Sequence, residues 1–330
     1  MVTDEWGFFN IRLESIGGYG AHVAGRILSE AGVLHQGFGG SNFSSYGSEK
    51  KGTPVKGYIR FCAADQEVRT SEPVEEPHLI AIFHEALART QPVTAGLRQG
   101  GVALLNTRKS AAAARELLHL DHGAIGVVDA IAIALEEKSR VNMVMLGAVC
   151  RVVAFLDPEA VKAVIRDTFG KKYPQSIAGN LRAFDRGYHE LLCEDVPHPA
   201  ASAPHQVRRP GPAVGYLQAP IGGVITQPGS SHVKDLSASR QGLLPEFLRE
   251  KCIDCAQCDI ACPDLCFVWE PGADKRGKPA LVLRGIDYQY CKGCLKCIEA
   301  CPTDALVSRV EEDGWAETHR SAQRLAPVGS

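Results

Sequence analysis

The residues with the clearest chemistry are eight cysteines, which form two copies of one motif between positions 252 and 301. Each copy has the spacing C-x2-C-x2-C-x3-C followed by proline, and the copies begin at Cys252 and Cys291. Three closely spaced thiolates can bind three corners of one iron–sulfur cubane only if the loop that carries them is tight. A zinc ribbon also uses C-x2-C pairs, but it takes four ligands from two such pairs. Because each copy here offers three close thiolates and a fourth, the spacing predicts iron–sulfur clusters rather than zinc.

The fourth cysteine of each copy predicts how the ligands are shared. In two-cluster ferredoxins with this run, the fourth cysteine ligates the other cluster. We expect it to lie at the start of a helix that points towards that cluster. The rule predicts two [4Fe–4S] clusters on this chain, close enough together to carry electrons. Cluster 1 would be bound by Cys252, Cys255, Cys258 and Cys301, and cluster 2 by Cys291, Cys294, Cys297 and Cys262.

The segment between the two copies is longer than a minimal ferredoxin needs. Cys266 follows Cys262 by four residues, and we expect a small buried side chain there, with a ligand as the alternative. Residues 267–290 contain Trp269 and a polar turn at 274–278. They predict a hairpin, and a docking surface for a partner is the alternative.

A glycine-rich turn in the first half of the chain could bind an anion. Gly17-Gly18-Tyr19-Gly20 lies between a predicted strand and a predicted helix, so bound anions could contact the helix N-terminus. A plain tight turn is the alternative. Lys50 and Lys51, in the predicted polar loop 37–54, could contact an anion or a partner, unless that loop is simply solvated. Since the turn is not a G-x-G-x-x-G fingerprint, a nicotinamide site is not expected.

Alternating elements position these residues in the first 195 residues of the chain. Apolar runs predict strands, and residues repeated four apart predict helices. This alternation predicts an α/β fold with layers and a largely parallel sheet. The expected strands are 8–13, 55–61, 78–83, 102–105 and 124–128, and the expected helices are 21–31, 84–97, 143–155, 158–168 and 174–193.

Composition predicts more than one domain in the 330 residues. Five prolines between positions 197 and 212 predict an extended linker that does not pack a core. The predicted organisation is an α/β domain (1–195), a Pro-rich linker (196–215), a loop-rich lead-in (216–245), a two-cluster ferredoxin-like α+β domain (246–310) and a polar tail (311–330).

Several classes of function are excluded by composition. The net charge is −2, without the strong basic excess that nucleic-acid binding needs, and no apolar run predicts a membrane span. The N-terminus carries Asp4 and Glu5 and no signal pattern, so we expect a cytoplasmic protein whose cysteines are not in disulfides. No Walker loop, serine-nucleophile elbow, H-E-x-x-H or thiamine-magnesium motif occurs. We therefore expect no catalytic residues on this chain.

The residues resemble a known family. The turn at 17–20 and the segment Ser45–Lys56, with its Glu-Lys-Lys-Gly-x-Pro core, resemble the gamma domain of 2-oxoacid:ferredoxin oxidoreductases, of which pyruvate synthase is the commonest member. Residues 222–240 and both cysteine runs resemble the delta, ferredoxin-like subunit. The turn departs from the family pattern, with Ser15 at its first position and Tyr19 in place of glutamine. The chain is thus similar to a fused gamma–delta subunit.

The resemblance implies an oxidoreductase subunit. Partner alpha and beta subunits would bind thiamine diphosphate, Mg²⁺, a further [4Fe–4S] cluster and the 2-oxoacid, most simply pyruvate. Electrons would pass through the two clusters of this chain to ferredoxin or flavodoxin. The gamma domain would help to place coenzyme A, through Gly17, Gly18, Gly20, Lys50 and Lys51. The alternatives are an oxalate- or 2-oxoglutarate-type member, or a two-cluster electron-transfer adaptor for another redox enzyme.

Overall fold

A computed structural model describes residues 1–47, 52–195, 221–222, 234–274 and 276–323. The chain divides into two compact units, residues 1–208 and 209–330. The predicted Pro-rich linker and most of the predicted lead-in lie outside the described residues, as do Lys50 and Lys51. Within the described part of the chain, every helix is too short or too polar to cross a membrane.

The first unit is built on a mixed seven-stranded sheet, with the strand order β2-β3-β1-β4-β5-β6-β7. The four central strands, β1, β4, β5 and β6, are parallel, and antiparallel strands flank them on both sides. The α/β fold class is therefore confirmed. The strands are β1 (Phe9–Ile16), β2 (Gly39–Tyr46), β3 (Pro54–Cys62), β4 (Leu79–Ile82), β5 (Val102–Asn106), β6 (Ala124–Val128) and β7 (Leu192–Asp195).

Seven helices accompany this sheet among the described residues. The short apolar runs of β4 and β6 are almost completely buried, as expected of strands inside a layered fold. Side-chain caps set several helix starts: Ser110, Asp129 and Asp157 each accept a hydrogen bond from the first turn. The helices are α1 (Ala21–Glu30), α2 (Leu87–Thr90), α3 (Ala111–Leu117), α4 (Ala130–Glu136), α5 (Val141–Val152), α6 (Pro158–Gly170) and α7 (Ile177–His189).

Two glycines allow α5 and α7 to cross in close contact. A Cβ atom placed on Gly147 would lie 2.0 Å from the carbonyl oxygen of Phe184, and one on Gly187 would lie 2.0 Å from that of Val144. Real Cβ atoms do not approach backbone that closely, so only glycine fits at either position. The helix α5 is buried along nearly its whole length, because this close crossing covers it.

Three local predictions for the first unit were wrong. The predicted helix 174–193 ends at His189, and its last two residues belong to the strand β7. The predicted helix 84–97 shrinks to the single turn α2, because Pro92 disfavours a helical residue before it and a second turn follows at Gly96. The predicted loop 37–54 contains the edge strand β2, which pairs with β3 along its whole length. Its sequence is polar because every residue of an edge strand can reach solvent, which removes the apolar alternation that would have indicated a strand.

Among its described residues, the second unit consists of two small antiparallel strand pairs and three short α-helices. The strands β8 (Leu243–Phe247) and β11 (Leu306–Val310) form one pair, and β9 (Phe267–Ala273) and β10 (Pro279–Ile286) form the other. The segment between the cysteine motifs is therefore a hairpin, as predicted. The helices are α8 (Gln257–Ala261), α9 (Lys296–Glu299) and α10 (Trp315–Thr318).

The folded part of this unit is larger than residues 246–310. At its beginning, the amide of Leu236 donates to the carbonyl of Gln289, and β8 begins at Leu243. At its end, part of the predicted polar tail packs on the unit: Ala316 of α10 is only 3% exposed, and Arg320 forms an ion pair with Asp287. The tail carries few apolar residues, so composition alone did not indicate that Trp315 and Ala316 pack against the core of this unit.

Candidate functional site

The two cysteine loops have the same backbone conformation. Residues with positive φ recur in pairs that are 39 residues apart in the two motifs. Five of the six are not glycine, and left-handed backbone at such residues is strained and is typical of ligand-binding loops. Such turns also direct successive amide groups towards one point, where they can stabilise an anion. The pairs are Asp254 with Gly293, Ala256 with Leu295, and Leu265 with Asp304.

Burial of the cysteines follows the same repeat. The third cysteine of each motif, Cys258 or Cys297, lies on a short helix and is buried, whereas the second, Cys255 or Cys294, is exposed. The fourth cysteine lies at the end of this helix, because Cys262 is the residue that caps α8. Our prediction that it lies at the start of a helix was therefore wrong. None of the twelve cysteines, all of which lie among the described residues, forms a disulfide.

The first three cysteines of the first motif line one cavity together with the fourth cysteine of the second. This cavity holds about 320 Å³ of atom-free space, part of it open to solvent. Its wall is largely apolar and includes Phe247, Trp269, Leu283 and Leu306. The cysteines are Cys252, Cys255, Cys258 and Cys301. The fold thus brings together four residues that are up to 49 positions apart in the sequence.

Backbone amides donate to sulfur at both loops. The amide of Asp254 lies 3.4 Å from Sγ of Cys252, and that of Ala305 lies 3.3 Å from Sγ of Cys301. At the equivalent place after the first motif, the amide of Cys266 lies 3.5 Å from Sγ of Cys262. Donors of this kind favour thiolate over thiol, which is the form that ligates iron.

The fourth cysteine of the first motif lies near cysteines of the second motif. Cys262 and Cys297 interact electrostatically with Cys291, and Cys294 is a further neighbour of Cys297. The side chain of Cys266 hydrogen-bonds with those of Cys262 and Cys291, so it lies beside both and is only 3% exposed. In the internal repeat its counterpart is Ala305, which lines the first cavity. A small buried side chain therefore fits both positions, in agreement with the first of our two interpretations of Cys266.

The surroundings shift the pKa values of the cysteines in opposite directions. Burial raises the pKa of Cys258 to about 12, whereas the hydrogen bond with Cys266 lowers the pKa of Cys262 to about 6.

Ion pairs support the loops. The Arg249 guanidinium, which is bonded to the Asp254 carboxylate, lowers the pKa of that carboxyl to about 2. A mostly buried pair, with Lys292 Nζ 2.6 Å from Asp264 Oδ2, joins the two motifs. The spacing of the cysteines gave no signal for this pair.

The glycine turn of the first unit forms a second candidate site. Gly18 and Gly20 have positive φ, and Gly20 is the cap of α1. The turn joins the C-terminal end of β1 to α1, and in open α/β sheets ligands bind at the carboxyl ends of the strands. Gly17 exchanges backbone hydrogen bonds with Gly52 and Thr53, which follow Lys50 and Lys51 in the sequence. Those two lysines lie outside the described residues.

A large cavity lies beside this turn. It holds about 950 Å³ of atom-free space, including open solvent, and Gly18, Tyr19 and Gly20 line one part of it. Lys138 and Arg140 line another, and Arg140 is the residue before the first turn of α5. Two helix N-termini and two basic side chains therefore surround the cavity, which favours a bound anion. The sequence predicted both the turn and a helix at 143–155, but not that α5, more than 100 residues away, lines the same cavity as the turn.

Buried polar groups lie behind the turn. The ring of Tyr19 is 2% exposed and packs edge-on against His84, with ring centroids 5.5 Å apart. Burial lowers the pKa of His84 to about 4, so this imidazole is neutral at neutral pH. Asn142 Nδ2 donates to the carbonyl of Gly20 over 3.3 Å, while its Oδ1 has no hydrogen-bond partner among the described residues. The tyrosine that departs from the family pattern is thus part of the core.

Comparison with known proteins gives matches to both units. The pyruvate ferredoxin/flavodoxin oxidoreductase family model matches residues 10–190, and a 4Fe-4S dicluster domain model matches residues 251–305. Pyruvate synthase subunit PorC of Thermotoga maritima is 36% identical over 57% of this chain and 97% of its own length. Subunit PorD of the same organism is 37% identical over 31% of this chain and 93% of its own length. The crystal structure of the Thermotoga maritima PORC subunit superimposes with a TM-score of 0.50, at 34% identity, over 57% of this chain and 99% of that one.

Fold, cysteine loops and matches together define an iron–sulfur electron-transfer subunit of an oxidoreductase, in which an α/β unit is joined to a dicluster unit. The chain belongs to the pyruvate ferredoxin/flavodoxin oxidoreductase family. It joins in one polypeptide the parts that Thermotoga maritima divides between PorC and PorD, so it is a fused gamma–delta subunit of a 2-oxoacid:ferredoxin oxidoreductase.

Proposed function

We propose that this chain is the electron-transfer subunit of a pyruvate:ferredoxin oxidoreductase and binds two [4Fe–4S] clusters through interleaved ligands. Cys252, Cys255, Cys258 and Cys301 would hold cluster 1, and Cys291, Cys294, Cys297 and Cys262 would hold cluster 2. The observation that carries this proposal is the cavity that Cys301 of the second motif lines together with three cysteines of the first.

The chemistry of the cysteine loops supports clusters rather than zinc. A zinc ribbon takes four ligands from two C-x2-C pairs. Here three cysteines of one motif and the fourth cysteine of the other line one cavity, which is the arrangement expected for interleaved clusters. The left-handed turns and the amide donors suit the negative charge of a cluster. When bound, the clusters supply one-electron transfer.

The partners and the substrate follow from the relatives. The PorC and PorD relatives are named as subunits of pyruvate synthase, which supports pyruvate as the substrate. The reaction would convert pyruvate, coenzyme A and oxidised ferredoxin to acetyl-CoA, CO2 and reduced ferredoxin in the cytoplasm. Alpha and beta subunits would supply thiamine diphosphate, Mg²⁺, a further [4Fe–4S] cluster and the catalytic groups. Ferredoxin or flavodoxin would accept the electrons. Activity of the native complex with oxalate or 2-oxoglutarate alone would favour those alternatives.

The isolated full-length chain, reconstituted without oxygen, is expected to contain about eight iron and about eight sulfide per polypeptide. It should not decarboxylate pyruvate until the thiamine-binding subunits are added. Metal analysis and an assay with and without those subunits measure both properties. Iron near four, or zinc as the bound metal, would contradict the two-cluster proposal. Purification with a hydrogenase or another dehydrogenase would favour an adaptor.

We also propose that the cavity beside the glycine turn binds an anionic group, and that coenzyme A supplies it. Gly17, Gly18 and Gly20 would approach the ligand with backbone, and Lys50 and Lys51 are proposed to contribute charge. The support is the convergence of the N-termini of α1 and α5 with Arg140 at one cavity. Contact with a partner subunit is the alternative role for this surface.

Replacement of Arg140 with glutamine is expected to weaken coenzyme A binding about tenfold, because a charge-assisted hydrogen bond of about 1.4 kcal/mol is lost. Isothermal titration of the assembled complex measures the affinity. Arg166→Gln is the matched control, since Arg166 is exposed on α6 and does not line the cavity. Equal affinity of the Arg140 variant and the unmodified complex would exclude this role for Arg140.

A further inference from the structure

Trp269 is the aromatic residue of the β9–β10 hairpin that lines the cavity of cluster 1. It lies on β9 opposite Leu283 of β10, and both residues line the cavity together with the four cysteines. Trp269 also packs against the core that contains Cys258. The hairpin between the two motifs thus contributes part of the wall of one cysteine site.

The indole nitrogen of Trp269 lacks a hydrogen-bond partner. Nε1 is buried, and no atom of the described residues accepts a hydrogen bond from it. An indole N–H can only donate, and a buried donor without an acceptor costs free energy. Such groups are rare in native proteins and usually have an acceptor that the protein atoms alone do not supply.

The side-chain oxygens of the cavity wall are already engaged. The carboxylate of Asp254 is engaged by Arg249 at 2.7 Å and by the amide of Leu283 at 2.9 Å. Thr303 lies beside Sγ of Cys301, at 3.8 Å. Most other lining residues are apolar or are the cysteines themselves. Among the side chains of the cavity wall, the sulfurs are therefore the acceptors left for this donor, either as thiolates or as part of a cluster that they hold.

We propose that Trp269 donates a hydrogen bond through Nε1–H to a sulfur of cluster 1 and thereby raises the reduction potential of that cluster. This inference rests on the proposed ligation of cluster 1 by Cys252, Cys255, Cys258 and Cys301. Reduction adds negative charge to the cluster, and a donor stabilises the more negative state more strongly. In this role Trp269 raises the reduction potential of cluster 1 but does not ligate the cluster.

Comparison of the two repeats indicates that only cluster 1 has an indole donor beside it. The counterpart of Trp269, 39 residues later, is Ser308 on β11, which is exposed. Cluster 2 has Cys266 beside its ligands instead, a far weaker donor than an indole. The two sites therefore share their backbone but differ in the groups around their sulfurs, and we expect their potentials to differ.

The test is a redox titration of the reconstituted full-length chain, followed by electron paramagnetic resonance. Trp269→Phe keeps an aromatic ring but removes the N–H group. We expect both clusters to be retained. The equilibrium constant for reduction of cluster 1 should fall three- to tenfold, and a tenfold fall lowers the potential by about 59 mV for one electron. Trp315→Phe is the control, because Trp315 packs on the same core but stacks on His319 and does not line the cavity.

A second measurement keeps the inference testable if Trp269→Phe binds iron poorly. In the unmodified chain, labelled with ¹⁵N at the indole nitrogens, pulsed electron paramagnetic resonance should detect one ¹⁵N coupled to a reduced cluster, and this coupling should persist in Trp315→Phe. Two intact clusters without that coupling, or with unchanged potentials in Trp269→Phe, would overturn the inference alone. Iron near four in the unmodified chain would overturn the proposed clusters and this inference together.

Discussion

Replacement of Cys301 with alanine is expected to remove about half of the iron and to remove the cluster of the first motif, although Cys301 belongs to the second. The reason is its place in the structure: Cys301 lines one cavity with Cys252, Cys255 and Cys258. A cubane is held by four protein ligands, and we expect the whole cluster to be lost when one of them is removed. Iron analysis and electron paramagnetic resonance of the reduced full-length chain measure the loss.

Paired variants show which cluster is lost. Cys255→Ala should give the same residual spectrum as Cys301→Ala. A double variant that carries both substitutions should lose no more iron than either single variant. Combining Cys294→Ala with Cys301→Ala should remove both clusters. The reciprocal variant Cys262→Ala should resemble Cys294→Ala. If Cys301→Ala instead resembles Cys294→Ala, each motif supplies all four ligands of its own cluster, and the interleaved assignment is wrong.

Cys266→Ala is the matched control for these variants. It removes a buried thiol from the same unit and installs the residue that the internal repeat has at Ala305. Both clusters and about eight iron should remain. Loss of cluster 2 in this control would show that Cys266 is a ligand.

Replacement of Gly147 with alanine is expected to destabilise the first unit by about 3 kcal/mol or more, the second of the two largest effects that we predict. The added Cβ would lie 2.0 Å from the carbonyl oxygen of Phe184 and 2.7 Å from the amide nitrogen of Tyr188. Both are backbone atoms of α7 and cannot rotate aside, so the two helices must move apart. The midpoint temperature of unfolding, followed by circular dichroism, measures the loss.

Gly170→Ala is the control for this variant. Gly170 is the last residue of α6, and a Cβ atom there would meet only Cδ1 of Ile177, at an ordinary contact distance of 3.8 Å. Alanine is also the better helix former, so stability should be unchanged or slightly higher. Equal midpoint temperatures for the Gly147 and Gly170 variants would mean that the helix crossing is more adaptable than its geometry indicates.

Elements with a strong periodic pattern were predictable from the sequence. The prediction of α1 at 21–31 is confirmed to within one residue, and β6 matches the predicted strand 124–128. The strand β2 was not predictable, because its partner β3 supplies the hydrogen bonds while its own side chains show no apolar alternation. The crossing of α5 with α7 depends on two glycines 40 residues apart, and no local pattern relates them.

The candidate site also combines features that the sequence predicted with features that it did not. The spacing of the cysteines indicated both loops, since the motif encodes a tight local turn. It did not indicate Trp269 in the wall of the cavity or the pair of Asp264 with Lys292, because these arise only when the hairpin and the loops pack together. Likewise, the glycine turn was visible as a pattern, whereas Arg140 reaches the same cavity only through the fold.

The residues after the second motif set the order in which the ferredoxin-like unit can be completed during synthesis. Gln323 Nε2 donates to the carbonyl of Leu265, and Arg320 pairs with Asp287, so this segment closes over the loop that follows the first motif. These residues leave the ribosome after all eight motif cysteines. A nascent chain therefore presents all eight motif cysteines before residues 320–323 can pack against the loop that follows the first motif.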